Sequence, residues 1–112
     1  MVDGEPPGVR RPEAANRVEL RATLLEREAL RYSPAGIPIL GAVLRHGSGQ
    51  PEAGGARQVE LDIAALFAGR LAEDANRLAL GTELQVRGFL APKRRLSRQL
   101  RLHVTEFELT EV

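Results

Sequence analysis

Residues 31–40 are Arg31-Tyr32-Ser33-Pro34-Ala35-Gly36-Ile37-Pro38-Ile39-Leu40, and they predict a strand, a tight turn and a second strand. Pro34 restricts φ at its own position and Gly36 permits a positive φ, so the chemistry of two residues specifies the turn. Arg31 and Tyr32 stand at the edge of this turn, where charge and stacking are able to hold a nucleic acid.

The segment before this run, residues 16–26, alternates apolar and polar side chains with a period of two, which predicts a half-buried strand. The Gly- and Pro-containing segment 47–56 predicts a flexible hairpin loop. A basic loop is expected over residues 92–98. Alternation or continuous apolar character predicts four more strands, at residues 37–46, 57–63, 82–91 and 99–109.

The hydrophobic period changes between the third and fourth predicted strands, where apolar residues recur at steps of three and four. This spacing predicts an amphipathic helix over residues 64–78, with Asp62 helping to cap its start and Gly81 marking its exit. A helix between strands 3 and 4 of five is the order of an OB-fold barrel, an all-β fold with one short helix. A small α+β sandwich is the alternative, although Gly41 and Gly88 inside strands favour a closed, coiled sheet.

The length and composition of the chain limit the classes of protein to which it can belong. The chain of 112 residues has room for one domain, and with three Phe, one Tyr and no Trp its core must be aliphatic. The absence of cysteine excludes disulfides and thiolate metal sites. No apolar run approaches the roughly 20 residues that span a membrane, so a cytoplasmic protein is expected. Residues 1–15 predict a disordered extension before a single domain over residues 16–112.

Catalytic constellations are missing from the sequence. The two histidines, His46 and His103, have no cysteine and no paired carboxylates at metal-ligand spacing around them. Ser33 and Ser97 lack the context of a nucleophile elbow. We therefore expect no enzyme, no metal and no cofactor.

Charge is unevenly distributed along the chain, although the net charge is only +1. The segment from Arg87 to Thr105 contains six basic residues and no acidic one, which indicates either a solvated loop or a nucleic-acid contact. Phe89 is expected to point outward, to stack on a base or to be buried in an interface, and Tyr32 either stacks or closes the barrel end. Binding carried by Arg and Lys with so few aromatics would be weak and salt-sensitive.

Three segments resemble the bacterial single-stranded-DNA-binding protein superfamily, and within it the primosomal replication protein N family. They are the run Arg31–Pro38, the entry Asn16-Arg17-Val18, and Gly81-Thr82-Glu83-Leu84-Gln85-Val86-Arg87-Gly88-Phe89-Leu90. The resemblance covers residues 16–110. It implies a homodimeric OB-fold that binds single-stranded DNA and acts with the PriA helicase and a DnaT-like loader protein in replication restart. The basic positions that match the DNA contacts of this family are Arg31, Lys93, Arg94, Arg95 and Arg98.

Two features separate the chain from the general single-strand-binding protein: it has no tryptophan, and it stops at Val112 with no Gly/Gln-rich region. The resemblance also places Glu60 where an aromatic often stands in the family. An OB-fold adaptor of the primosome with little DNA affinity is therefore the alternative function.

The implied dimer has a physical counterpart in strand 1. An exposed strand edge can pair with its copy across a two-fold axis. We expect reciprocal ion pairs there from Arg17, Glu19 and Arg21, which otherwise would be ordinary solvated residues.

Overall fold

A computed structural model describes residues 14–110 of the chain. The expected N-terminal extension thus lies outside the described residues, except for Ala14 and Ala15. The structure contains six strands and one helix: β1 (Val18–Arg27), β2 (Arg31–Tyr32), β3 (Pro38–Glu52), β4 (Gly55–Ala68), α1 (Arg70–Asn76), β5 (Glu83–Pro92) and β6 (Leu100–Leu109).

Five of the strands close into a barrel. The order around the sheet is β1-β5-β6-β4-β3-β2, and an additional β1–β3 pairing closes it. Only β4 and β6 run parallel, and the other pairings are antiparallel. This closed barrel confirms the expected OB-fold and excludes the alternative, a small α+β sandwich. The helix lies between β4 and β5 in this numbering because the two-residue β2 adds one strand to the count.

The barrel interior is aliphatic apart from one ring. Leu24, Leu40, Leu44 and Leu84 have no exposed surface, and Phe67 packs edge-on against the half-buried Phe107 at 5.7 Å between ring centroids. Each such side chain contributes about 1.5–3 kcal/mol through removal from water. Period-two alternation predicted most of the inward rows, but Leu100, expected to be buried in the last strand, is 52% exposed, and Leu61 is 38% exposed.

The prediction of a flexible loop over residues 47–56 is wrong. The β3–β4 ladder continues without interruption from Ile39 opposite Ala68 to Glu52 opposite Gly55. Ala53 and Gly54 make the turn with φ of 52° and 83°, as a two-residue hairpin turn with two positive φ values requires. Composition misled the sequence analysis because a ladder of backbone hydrogen bonds needs no apolar side chains.

The start of the predicted helix is also wrong, because residues 64–68 belong to β4. Ala65 and Phe67 point inward there, and their spacing to later apolar residues coincides with helical steps. Gly69, with φ of 70°, ends the strand, and α1 follows. The guanidinium of Arg27 in β1 donates to the carbonyls of Ala75 and Leu78, which satisfies the C-terminal end of the helix. This helix is too short and too polar to cross a membrane, and residues 14–110 contain no other.

Asp62 does not cap the helix, which corrects that expectation. It lies in β4 opposite Arg45 of β3, and the guanidinium donates to both carboxylate oxygens at 2.8 and 3.0 Å. These hydrogen bonds lower the pKa of Asp62. Gly81, with φ of 92°, stands five residues past the helix end, where its N–H donates to the carbonyl of Leu24 at 2.8 Å.

Candidate nucleic-acid interface

The loop between β5 and β6, residues 93–99, carries most of the free positive charge and is here called the basic loop. The side chains of Lys93, Arg94, Arg95 and Arg98 are exposed. None of the four forms a salt bridge with another residue of the described range. They are therefore available to phosphate oxygens.

Hydrogen bonds fix the backbone conformation of this loop. Lys93 N–H donates to Gln99 O at 2.7 Å, and Gln99 N–H donates to the Ser97 hydroxyl at 3.0 Å. The Arg101 guanidinium on β6 reaches back and donates to Lys93 O at 3.0 Å. The basic side chains thus project from a defined backbone conformation.

Two residues of the acid-free segment do not contribute to this basic surface. Arg87 forms salt bridges with Glu19 at 3.3 Å and Glu106 at 2.9 Å, and the charge of Glu19 is the main cause of its raised pKa. Arg101 is half-buried and is engaged with the loop backbone. The sequence cannot reveal these pairings, because the two glutamates come from other parts of the chain.

Phe89 leads into the basic loop from β5 and lies on the outer face of the barrel. It stacks on His103 of β6, with ring centroids 5.0 Å apart and an interplanar angle of 15°. The phenyl ring retains 39% of its exposure, so it remains accessible beside its histidine neighbour. Burial, followed by the charge of Arg101, lowers the pKa of His103, which keeps the imidazole neutral at neutral pH. Sequence analysis missed His103, although the antiparallel register of the two strands pairs it with Phe89.

Arg31 and Tyr32 form β2 and pair with Ile39 and Pro38 of β3. The following turn is closed by Gly36 N–H donating to Ser33 O at 2.8 Å, and Gly36 takes φ of 83° as expected. Tyr32 is 61% exposed, so it does not close the barrel end.

The structure divides the expected DNA-binding residues between two places. Phe89 and the basic loop are contiguous on one side. In the closed barrel, β2 is separated from β5 by β1 and β3 in one direction and by β6, β4 and β3 in the other.

A small pocket of about 140 Å³ lies beside the basic loop. Three cations line it, Arg27, Lys93 and Arg101, together with the carboxylates of Glu26 at the end of β1 and Glu28.

The expected dimer residues lie at the start of β1. Residues Val18–Thr23 pair with β5 on one edge, and pairing with β3 on the other edge begins only at Thr23. Before Thr23, no other strand within residues 14–110 pairs with this second edge of β1, and the His46 ring donates to Arg21 O at 2.7 Å there. Arg17 and Arg21 are exposed, whereas Glu19 is already engaged by Arg87 and Gln85 of its own chain.

Known proteins share this barrel and this sequence. Residues 16–106 match a family described as "Another single-strand binding protein family". The chain is 47% identical over 91 residues to the replication restart protein PriB of Bordetella pertussis, covering 81% of this chain and 85% of the relative. It is 38% identical over 91 residues to the PriB of Nitrosomonas europaea, covering 81% and 84%.

Solved structures agree with these sequence matches. The protein PriB from Ralstonia solanacearum superposes with a TM-score of 0.80 at 45% identity, covering 88% of this chain and all of that chain (100%). The single-stranded DNA binding protein from Thermus aquaticus superposes with a TM-score of 0.68 at 26% identity, covering 87% of this chain and 50% of that chain.

Fold and family match together place the chain in the single-strand binding class of OB-fold proteins. Within that class, the chain belongs to the family of the replication restart protein PriB.

Proposed function

We propose that this protein binds single-stranded DNA through the basic loop and Phe89, and that it acts in replication restart. The observation that carries the proposal is a hydrogen-bonded loop with four exposed cations, which form no salt bridge within residues 14–110, beside an exposed, stacked aromatic ring. Cations that follow a backbone and rings that stack on bases are the two elements of single-strand recognition. The family match and the Thermus aquaticus neighbour support single-strand binding as the function.

We further propose that the protein forms a homodimer and works with partners of the primosome. The open edge of β1 supports the dimer, because unpaired backbone groups on an edge favour pairing with a second copy. Membership in the replication restart family supports stimulation or bridging of the PriA helicase, together with a DnaT-like loader protein.

Sedimentation equilibrium tests the dimer against the chain mass of 12.2 kDa. Twice this mass is expected for the wild type. The double charge reversal Arg17→Glu with Arg21→Glu places two more carboxylates beside Glu19 and is expected to shift the equilibrium toward monomer. A dimer unaffected by this change would remove these residues from the interface.

The DNA-binding test compares a labelled single strand of about 30 nucleotides with a duplex of equal length by fluorescence anisotropy across a salt series. Preference for the single strand is expected. The triple variant Lys93→Ala, Arg94→Ala, Arg95→Ala should reduce the slope of log K against log salt by about 2, since each phosphate contact contributes about 0.7.

A control variant removes two exposed arginines elsewhere, Arg70 at the start of α1 and Arg77 directly after its end, by substitution with alanine. These changes should leave the salt slope nearly unchanged. An unchanged slope in the triple variant would remove the basic loop from the DNA site.

The second candidate function is an adaptor that binds primosome proteins and has little DNA affinity. Glu60 is exposed on β4, and Glu26 and Glu28 lie beside the basic loop, so the surface carries anionic groups as well as cations. Retained binding to PriA with no affinity for single strands at low salt would favour the adaptor.

A further inference from the structure

The tip of the basic loop is a leucine that the fold does not explain. Leu96 is 91% exposed and has φ of 65°. Ser97 N–H donates to Arg94 O at 2.9 Å, which closes a four-residue turn with Arg95 and Leu96 at its centre. A positive φ at the third position of such a turn favours glycine or asparagine, and a bulky side chain there is an outlier. A leucine at this position therefore stabilises neither the turn nor the hydrophobic core.

Hydrogen bonds fix the backbone on both sides of this leucine. The backbone of the basic loop is tied by the hydrogen bonds between Lys93, Gln99 and Arg101, and by that of the Ser97 hydroxyl. The Leu96 side chain therefore projects from a braced turn. Carrying an apolar side chain on a preformed backbone turn reduces the backbone ordering cost when a ligand covers it.

The charges around the tip indicate which ligand covers it. Arg95 precedes Leu96 directly, and Arg94 and Arg98 lie two residues away on either side, all exposed. The whole segment from Arg87 to Thr105 contains no acidic residue. Single-stranded DNA is complementary to both features of the tip. Its phosphates can bind the guanidiniums, and the faces of its unstacked bases can contact an apolar side chain.

We propose that Leu96 packs against an unstacked base of a single strand whose phosphates are held by Arg94, Arg95 and Arg98. The inference rests on the proposed single-strand binding. In a duplex, the bases are stacked on one another and their faces are covered, whereas the phosphates remain accessible. Leu96 therefore contributes to the preference for single strands, and the arginines contribute to affinity for either form.

The test uses two substitutions at the tip and one elsewhere. Leu96→Asn keeps the turn, because asparagine tolerates positive φ, and removes the apolar contact. Leu96→Met retains the apolar contact. Leu80→Asn is the control, since Leu80 is another exposed leucine, in the turn after α1. Anisotropy is measured with an oligo(dT) strand and with an abasic strand of the same length.

Leu96→Asn should weaken oligo(dT) binding about fivefold, as expected for loss of part of a leucine contact, with an unchanged salt slope and unchanged affinity for the abasic strand. Leu96→Met should stay within about twofold of wild type, and Leu80→Asn should match wild type.

Two results would overturn the inference while leaving the proposed function standing. One is wild-type oligo(dT) affinity in Leu96→Asn, and the other is equal weakening of oligo(dT) and abasic binding, which indicates a changed loop. A wild-type protein that binds neither strand would instead contradict the proposed function itself.

Discussion

The absence of a Cβ atom at Gly88 determines how closely β5 and β6 approach at the candidate site. A Cβ at this position would overlap the backbone carbonyl of His103, so β5 and β6 approach closely only because residue 88 is glycine. The register shifts between Arg87 and Gly88, and the next pair along the ladder is Phe89 opposite His103. The close approach therefore sets the position of the stacked rings.

Gly88→Ala should destabilise the protein by at least about 2 kcal/mol, because the overlapping atom is backbone and cannot rotate away. The melting temperature should fall by roughly 10 °C in a domain of this size. Gly49→Ala is the control, since nothing lies within 4 Å of a Cβ there. A variant of Gly88 that melts like the control would contradict the packing described for this crossing.

His103 is expected to make the protein less stable in mild acid. Its pKa is lowered in the folded state by burial and by Arg101, so the unfolded chain takes up the proton first as the pH falls below about 6.5. The stability due to neutral His103 is complete above that pH and is lost as the pH falls toward the folded pKa. Urea unfolding of wild type and His103→Gln at about pH 7.5 and 5.5 measures this; an identical pH dependence in both would contradict it.

At the scale of elements, the β3–β4 hairpin extends beyond the barrel as an arm, residues 46–61, in which each strand pairs only with the other. Its turn places Ala53 at φ of 52°, where asparagine is preferred. Ala53→Asn should slow amide hydrogen exchange in the arm about threefold, with little change in the melting temperature, because the arm opens locally. Exchange rates equal to wild type would show that the turn does not limit this opening.

The barrel strands, the arm and the helix show which parts of the fold can be predicted from the sequence. Alternation predicted the inward rows of the barrel, because burial of one strand face leaves a period of two. It did not predict that the two strands of the arm continue through residues 47–56, because this polar, glycine-containing stretch depends on backbone pairing. It placed the helix six residues too early, at Ala64, because Ala65 and Phe67 satisfy both periods.

The candidate site was predictable only where a local sequence pattern specifies it. A basic loop between two strands is visible in the sequence, and the resemblance assigned its DNA contacts. The neutralisation of Arg87, the stack of Phe89 on His103 and the positive φ of Leu96 depend on register and turn closure. These features are set by residues distant in sequence or by backbone dihedrals, and no local pattern specifies them.

At the scale of the molecule, a net charge of +1 conceals a strong separation of charge. Salt bridges engage Arg45, Arg57 and Arg87 on the barrel and arm, whereas the basic loop has no such partners among the described residues. The field that attracts an anionic strand is therefore concentrated at one end of the β5–β6 pair. Association should slow steeply with added salt, although the protein as a whole is nearly neutral.

The central claim, that a single strand lies against Phe89 beside the basic loop, is tested most directly by Phe89→Trp. The chain has no tryptophan, so this variant carries a single tryptophan at the site, excited selectively over Tyr32, and Leu80→Trp places one elsewhere as a control. Titration with oligo(dT) should quench Phe89→Trp, with a midpoint that matches anisotropy, and leave Leu80→Trp unchanged. Binding by anisotropy without quenching of Phe89→Trp would contradict the claim.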